Sequence, residues 1–348
     1  MAITKRQMLI LKAIVDDYIL TGIPVGSRTL SKREDIRVSS ATIRNEMADL
    51  EESGYLEQPY TSAGRMPSEK AYRLYVDTLM RVSSLSKEEI HLIHAYLNSR
   101  LNQLENVIEA TAKVLSELTN LTSIVLSPQL SKTELKRVQL VRISGKRVLA
   151  IFVFNTGIVK NVFINVPEDI DERYLEMLSN ILTEKMSHHL LDDALHEVRQ
   201  AMHTEIESNR LFMENLLESV SSTIQPTRGK DVVLGGTQNL FRHPEYRDVE
   251  RAKSFLSLLE TKDALYDLLM QASNMEFTIR IGTENEIEEL KDMSVITATY
   301  NIGGEKIGSF GVIGPTRMDY AKIYSILRFV GASINELFGY YLNTDEKL

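Results

Sequence analysis

Residues 27–58 read SRTLSKREDIRVSSATIRNEMADLEESGYLEQ, and the punctuation of this stretch decides how the first part of the chain folds. Ser27–Glu34 has the composition of a short helix and Asp35-Ile36-Arg37-Val38 that of a tight turn. Ser39 stands where the N-cap of a longer helix is wanted, its hydroxyl able to accept from a free N–H of the first turn. With Ser39 as cap, Val38 and Ile43 occupy the two positions of a hydrophobic staple, which fixes the angle at which the chain enters the helix. Ile43, Met47 and Leu50 then share an inward face, and Gly54 stops the helix. The outward face near its start carries Ser40, Thr42, Arg44 and Asn45. These are groove-reading groups: a guanidinium matches two acceptors of guanine, a carboxamide matches adenine, and the free N–H groups of a helix start favour phosphate. The same four residues also suit an ordinary solvated face, so the flanking sequence has to separate the two readings.

Upstream, Met8, Leu11, Val15 and Tyr18 recur at helical spacing, broadened by Ile10 and Ile14, with Thr4 as cap and Gly22 and Pro24 as the stop. Downstream, residues 55–58 suit a short strand, and residues 59–67 a loop in which Arg65 follows Gly64, placed to reach a phosphate or the minor groove. Ser68 then caps an amphipathic helix through Tyr72, Tyr75, Val76 and Leu79. Three short helices, a strand, a basic tip and a return helix predict a winged helix-turn-helix over residues 1–82 that docks on double-stranded DNA, with Thr42, Arg44 and Asn45 at base edges and Arg28, Arg37 and Arg65 on phosphates.

A net charge of −8 argues against nucleic acid only as an average. Residues 1–80 hold 11 Lys/Arg and 11 Asp/Glu, so the deficit falls entirely on the rest, and Arg28, Lys32, Arg33, Arg37 and Arg44 face only Glu34 and Asp35 within residues 28–44. That polarity orients binding. The absence of cysteine excludes disulfides, thiol catalysis and Cys-ligated metal. The N-terminal residues lack an uncharged stretch of signal length, and no run approaches a membrane span, so a cytoplasmic protein without membrane association is expected.

Beyond residue 82 the pattern is mixed. Residues 87–118 read as one or two helices, 123–126 as a strand, and 137–143, 147–154 and 159–166 as three strands with Gly145 and Gly157 in their links. Helices are expected over 172–186, 192–224, 249–271 and 319–341, and strands over 231–234, 276–281, 295–302 and 306–313, an α+β class. The apolar side chains of the 192–224 helix call for a partner subunit. His189, His196 and His203 recur every seven residues, about 10 Å apart on a helix and so unable to share one ion, while His91 and His94 lack a third ligand. Gly308, Gly311 and Gly314 sit in a strand and its turn, which favours tight packing over phosphate binding; Arg317 beyond them suits a salt link or a plain surface charge equally. No nucleophile constellation is present, so neither an enzyme nor a bound cofactor is expected.

The run Ser40-Ala41-Thr42-Ile43-Arg44-Asn45, then Thr61-Ser62-Ala63-Gly64-Arg65 and Pro67, and far downstream GSFGVIGPTRMDY at residues 308–320, resembles the HrcA family of heat-inducible repressors of bacterial chaperone operons. One departure is Pro59-Tyr60-Thr61 where that pattern has Pro-His-Thr. The resemblance implies a homodimer on an inverted-repeat operator of CIRCE type, released on heat shock, and kept active by a GroEL-type chaperonin. It also implies a GAF-like domain, here residues 83–131 and 227–348, interrupted by an inserted dimerisation domain at 132–226. The rival expectation is a ligand-responsive regulator using the GAF-like domain as sensor.

Overall fold

The structure, a computed structural model, describes residues 3–61, 63–98, 104–129, 133–155, 158–165, 170–187, 216, 218, 231–272, 276–302 and 305–344. Helix α1 (Lys5–Thr21) starts where the sequence places its cap: the Thr4 hydroxyl accepts from Gln7 N–H at 3.2 Å, while the Gln7 carboxamide oxygen accepts from Thr4 N–H at 2.9 Å. The reciprocal pair satisfies two donors that a helix start leaves free. The helix closes on Gly22 at φ +65°, the left-handed conformation glycine adopts without strain. Short α2 (Ser27–Leu30) and longer α3 (Ser40–Glu52) follow, then a ribbon of β1 (Leu56–Glu57) and β2 (Met66–Pro67), and α4 (Glu69–Leu74), which runs on through a wide turn at Tyr75–Leu79. Val25 adds a rung to the ribbon by pairing with Arg65. A Cβ at Gly64 would stand 2.5 Å from the Val25 backbone, so glycine is what permits the approach.

The expected reach of α2 to Glu34 is shortened. Past Leu30 the chain leaves the helical path, Arg33 turns back to Asp17 at 2.7 Å and Asp35 at 3.0 Å, and Ile36 drops into the core. Burial of one isoleucine and two ion pairs outweighs a further helical turn of polar residues.

Two helices, α5 (Lys87–Asn98) and α6 (Leu104–Thr119), lead to β3 (Thr122–Leu126). Then β4 (Leu135–Ser144), β5 (Arg147–Phe154) and β6 (Val159–Asn165) form an antiparallel meander under α7 (Glu172–Met186). Side-chain hydroxyls of α7 serve the backbone of β4: Thr183 accepts from Val138 N–H at 3.0 Å and Ser179 from Leu140 N–H at 2.9 Å. The helix expected over 192–224 lies outside the described residues, apart from 216 and 218.

After β7 (Val232–Gly235) come α8 (Val249–Thr261), α9 (Asp263–Ala272), β8 (Phe277–Ile281), β9 (Met293–Ile302), β10 (Glu305–Pro315) and α10 (Tyr320–Thr344). The single helix expected over 249–271 is broken at Lys262, φ +56°, whose ammonium donates to the Val232 carbonyl at 3.0 Å. Strands pair antiparallel in the order β7-β3-β10-β9-β8. Thus β3 and β7 are neighbours although the whole β4–α7 unit separates them in sequence. Alternate residues serve the two faces, as strand geometry requires: Val125, Ala298, Tyr300 and Phe310 pack toward α5, α6 and α10, and Ile124, Leu126, Val295 and Ile313 toward α8 and α9. The chain is α+β.

The glycines of β10 are pressed against neighbours. A Cβ would lie 2.2 Å from the Tyr300 ring at Gly308, 2.2 Å from the Ile296 carbonyl at Gly311 and 2.5 Å from Leu121 at Gly314. Tyr300 is fully buried and donates its hydroxyl to the Leu126 carbonyl at 2.7 Å, so it has nowhere to retreat. Gly308→Ala is therefore expected to lower stability by about 1–3 kcal/mol through overpacking. Gly145→Ala, at a turn with nothing within 4 Å, is expected to change it by less than about 0.5 kcal/mol. Urea denaturation of the two variants reads the contrast.

Candidate nucleic-acid interface

Ile43, Met47 and Leu50 bury one side of α3 against the head core, in contact with α1, and this turns the N-terminal end of the opposite side to solvent. The Ser39 hydroxyl caps α3, accepting from Thr42 N–H at 3.2 Å and sharing a hydrogen bond with the Thr42 hydroxyl at 2.9 Å. The Ser40 hydroxyl meets that of Ser27 at 3.1 Å and stitches α2 to α3. Ser39, Ser40 and Thr42 thus hold the α2–α3 corner together as well as lying at its surface. Arg44 and Asn45 on α3, Arg28 on α2 and Arg37 in the turn are exposed, and among the described residues their side chains have no hydrogen-bond or ion-pair partner. Lys32, counted above in the local charge but not among the reading residues, is exposed beside them.

Not every base of this region is free. Arg33 is spent on Asp17 and Asp35, and its hydrogen bond holds the Asp35 carboxyl below the usual carboxylate range. Arg65 lies where the loop rejoins β2, paired with Val25, its guanidinium 2.7 Å from Glu51 and its side chain 20% exposed. To meet a phosphate it has to exchange that carboxylate. The tip itself is shaped by Gln58, whose amide donates to the carbonyls of Thr61 at 3.0 Å and Ala63 at 3.1 Å, and it presents Tyr60, 64% exposed.

Other candidates resolve simply. The His94 ring stands edge-on to Phe329 at 5.6 Å, and no three potential metal ligands cluster among the described residues. His189, His196 and His203 lie outside them. Arg317 forms a salt link with Glu245 at 2.5 Å, a partner in a short turn that periodicity does not reveal. Among the described residues no helix is long and apolar enough to cross a membrane.

Fold and surface together define an α+β protein whose small head carries an unpaired basic helix start. A sequence profile described as HrcA protein C terminal domain matches residues 105–324. The chain is 41% identical to a protein of Halalkalibacterium halodurans named heat-inducible transcription repressor HrcA, over 96% of this chain and 97% of that one. A protein of the same name from Ruminiclostridium cellulolyticum is 40% identical over 97% of each. A crystal structure described as that of a hypothetical protein at 2.2 Å resolution covers 98% of this chain and 100% of that one, with a TM-score of 0.67 and 22% identity, which shows a shared fold. The chain belongs to the HrcA family.

The cap at α3 is checkable on its own. Ser39→Ala removes the acceptor for Thr42 N–H and is expected to cost about 0.5–2 kcal/mol, read as a lowered denaturation midpoint, whereas Ser39→Asp retains the cap and the midpoint.

Proposed function

We propose that this protein represses transcription as a homodimer, each subunit using residues 1–82 as a winged helix-turn-helix on one half of an inverted-repeat operator of CIRCE type. The observation that carries the reading is the free, solvent-facing set Arg28, Arg37, Arg44 and Asn45 around a capped helix start, on a chain that is acidic elsewhere. Thr42, Arg44 and Asn45 approach base edges, and Ser39 and Ser40 set the helix end from which they project. Arg28 and Arg37, with Arg65 once it is exchanged from Glu51, take phosphates. Occupied operator then excludes polymerase.

Residues 83–131 and 227–348 form the GAF-like domain in this reading, and 132–226 the inserted dimerisation domain. Supporting the latter, the face of the β4–β6 sheet away from α7 carries an apolar patch among Arg137, Gln139 and Asn161 that no described element covers: Val141, Leu149, Ile151 and Val153 are partly exposed, with Val159 at 51% and Phe163 at 59%. A second copy of the same face covers it with isologous symmetry. On heating, the operator-competent dimer is lost, and a GroEL-type chaperonin restores it.

Footprinting on chaperone-operon promoter DNA is expected to give a two-fold symmetric protected site. Arg44→Ala is expected to weaken binding by about 1–3 kcal/mol and relax sequence preference, whereas Arg37→Ala weakens all sequences alike and lowers the salt slope by about 1. An Arg44→Ala protein as tight and selective as wild type removes α3 from the role of reading helix. Operator binding by heat-inactivated protein is expected to return on adding purified chaperonin with ATP; failure to return under any condition removes the chaperonin step.

A second reading, an effector-controlled regulator, draws on an open cleft of about 610 Å³ between α6 and β7, lined by Tyr96, Lys113, Gly235, Gln238 and Arg242. The space between the sheet and α10 is filled by Tyr300, Phe310 and Tyr320. A thermal-shift screen of metabolites decides, since a true effector raises the melting temperature by mass action.

A further inference from the structure

The head is fastened to the body at two places, and neither lies on the reading face. At the first, the Glu69 carboxylate at the start of α4 accepts from the N–H of Thr283 at 3.2 Å and from its hydroxyl at 2.5 Å. One turn on, Arg73 forks onto Glu284, with Nε 2.8 Å from Oε1 and an Nη on Oε2, and that Nη also reaches the Ile279 carbonyl at 2.7 Å. Thr283 and Glu284 belong to the corner where the chain leaves β8. Gly282 before them has φ +54°, and a Cβ there would stand 1.9 Å from Glu69 Oε1, so this corner admits the carboxylate only because it carries no side chain.

At the second place Arg317, just ahead of α10, donates Nε to Glu245 at 2.5 Å and Nη1 to the Ile19 carbonyl at 3.3 Å. Its guanidinium lies against Gly22, where a Cβ would come within 3.2 Å. The Ile19 carbonyl is one of the last of α1, at the negative end of the helix dipole, where a cation is favoured. Between the two fastenings the buried rings of Tyr72 and Tyr320 stand 5.8 Å apart.

These contacts use α4 and the C-terminal end of α1, whereas the free side chains of Arg28, Arg37, Arg44 and Asn45 belong to α2, α3 and the turn between them. An autoinhibitory contact covers the surface it silences; this one leaves it open. Partly exposed ion pairs add little stability, but a forked, charge-assisted geometry fixes direction.

We infer that Glu69, Arg73 and Arg317 are positioning residues: they fix the direction of α3 relative to the body and, through the pairing of two bodies, set the separation of the two heads and hence the half-site spacing the dimer accepts. The inference rests on the dimeric operator-binding reading above. It is tested by gel shift of the full chain and its Glu69→Ala/Arg317→Ala variant on three kinds of duplex: the footprinted inverted repeat, repeats with the spacer changed by one to five base pairs, and a single half-site. Wild type is expected to prefer the native spacing at least ~10-fold, and the double variant to bind all spacings within ~2-fold of one another, with single half-site affinity unchanged. Glu69→Gln/Arg317→Lys, which keeps an acceptor and a donor in place, is expected to retain the preference. A double variant that keeps the full preference, or binds the native operator more tightly than wild type, overturns the inference and leaves the operator reading intact. Wild type without sequence preference overturns both. If the double variant loses half-site binding through misfolding, Gly282→Ala, which disturbs the Glu69 corner and leaves Arg317 in place, is expected to weaken the spacing preference instead, and an unchanged preference overturns the inference.

Discussion

Burial of one stripe of α3 beneath the head is the constraint from which the surface follows. Ile43, Met47 and Leu50 pack with Ile10 and Ile14 of α1, and once that stripe is inside, a period of 3.6 residues leaves no choice about what faces out at the helix start. The staple of Val38 and the Ser39 cap fix where the helix begins, so the first long polar side chains to face out are Arg44 and Asn45, with the acids Asp49 and Glu52 near its far end. A one-residue slip in the cap would rotate this end by about 100° and bury a different set.

Charge in the head is sorted by the same packing. Arg6 pairs with the buried carboxylate of Glu46, Arg33 with Asp17 and Asp35, and Arg65 with Glu51. Those pairs neutralise acids of the head, and among the described residues they leave Arg28, Lys32, Arg37 and Arg44 uncompensated. A balanced count of charges over residues 1–80 thus conceals a one-sided field, which is what steers an anionic partner toward a particular surface.

In the body, the pairing of β3 with β7 lets the chain depart for the β4–α7 unit and rejoin the same sheet beside the strand it left. Such a return leaves the sheet order unbroken, so the excursion is free to carry a separate surface, here the β4–β6 meander with its exposed Val159 and Phe163. Head and body meet through a shared apolar core that includes Tyr72 and Tyr320, and directional polar contacts from Glu69, Arg73 and Arg317 flank it.

How much of this was legible in the chain follows from how local each signal is. Caps, stops and periodicity announced α1, α3, the three meander strands and the closing helix, because a hydroxyl at a helix start or a two-residue alternation depends only on neighbours in sequence. The bases around α3 were legible for the same reason, as was the crowding of Gly308, Gly311 and Gly314. The shortened α2, the break at Lys262, the capture of Arg65 by Glu51, and the fastening of Glu69, Arg73 and Arg317 to residues as many as 298 positions away were not. Each depends on which distant group the fold brings within a few ångströms, and that proximity is a property of the packed chain that no local pattern encodes. By itself, then, the sequence determined where α3 begins and which side chains its outer face carries, while tertiary structure alone decided which of the head's charges remained free and in which direction they point.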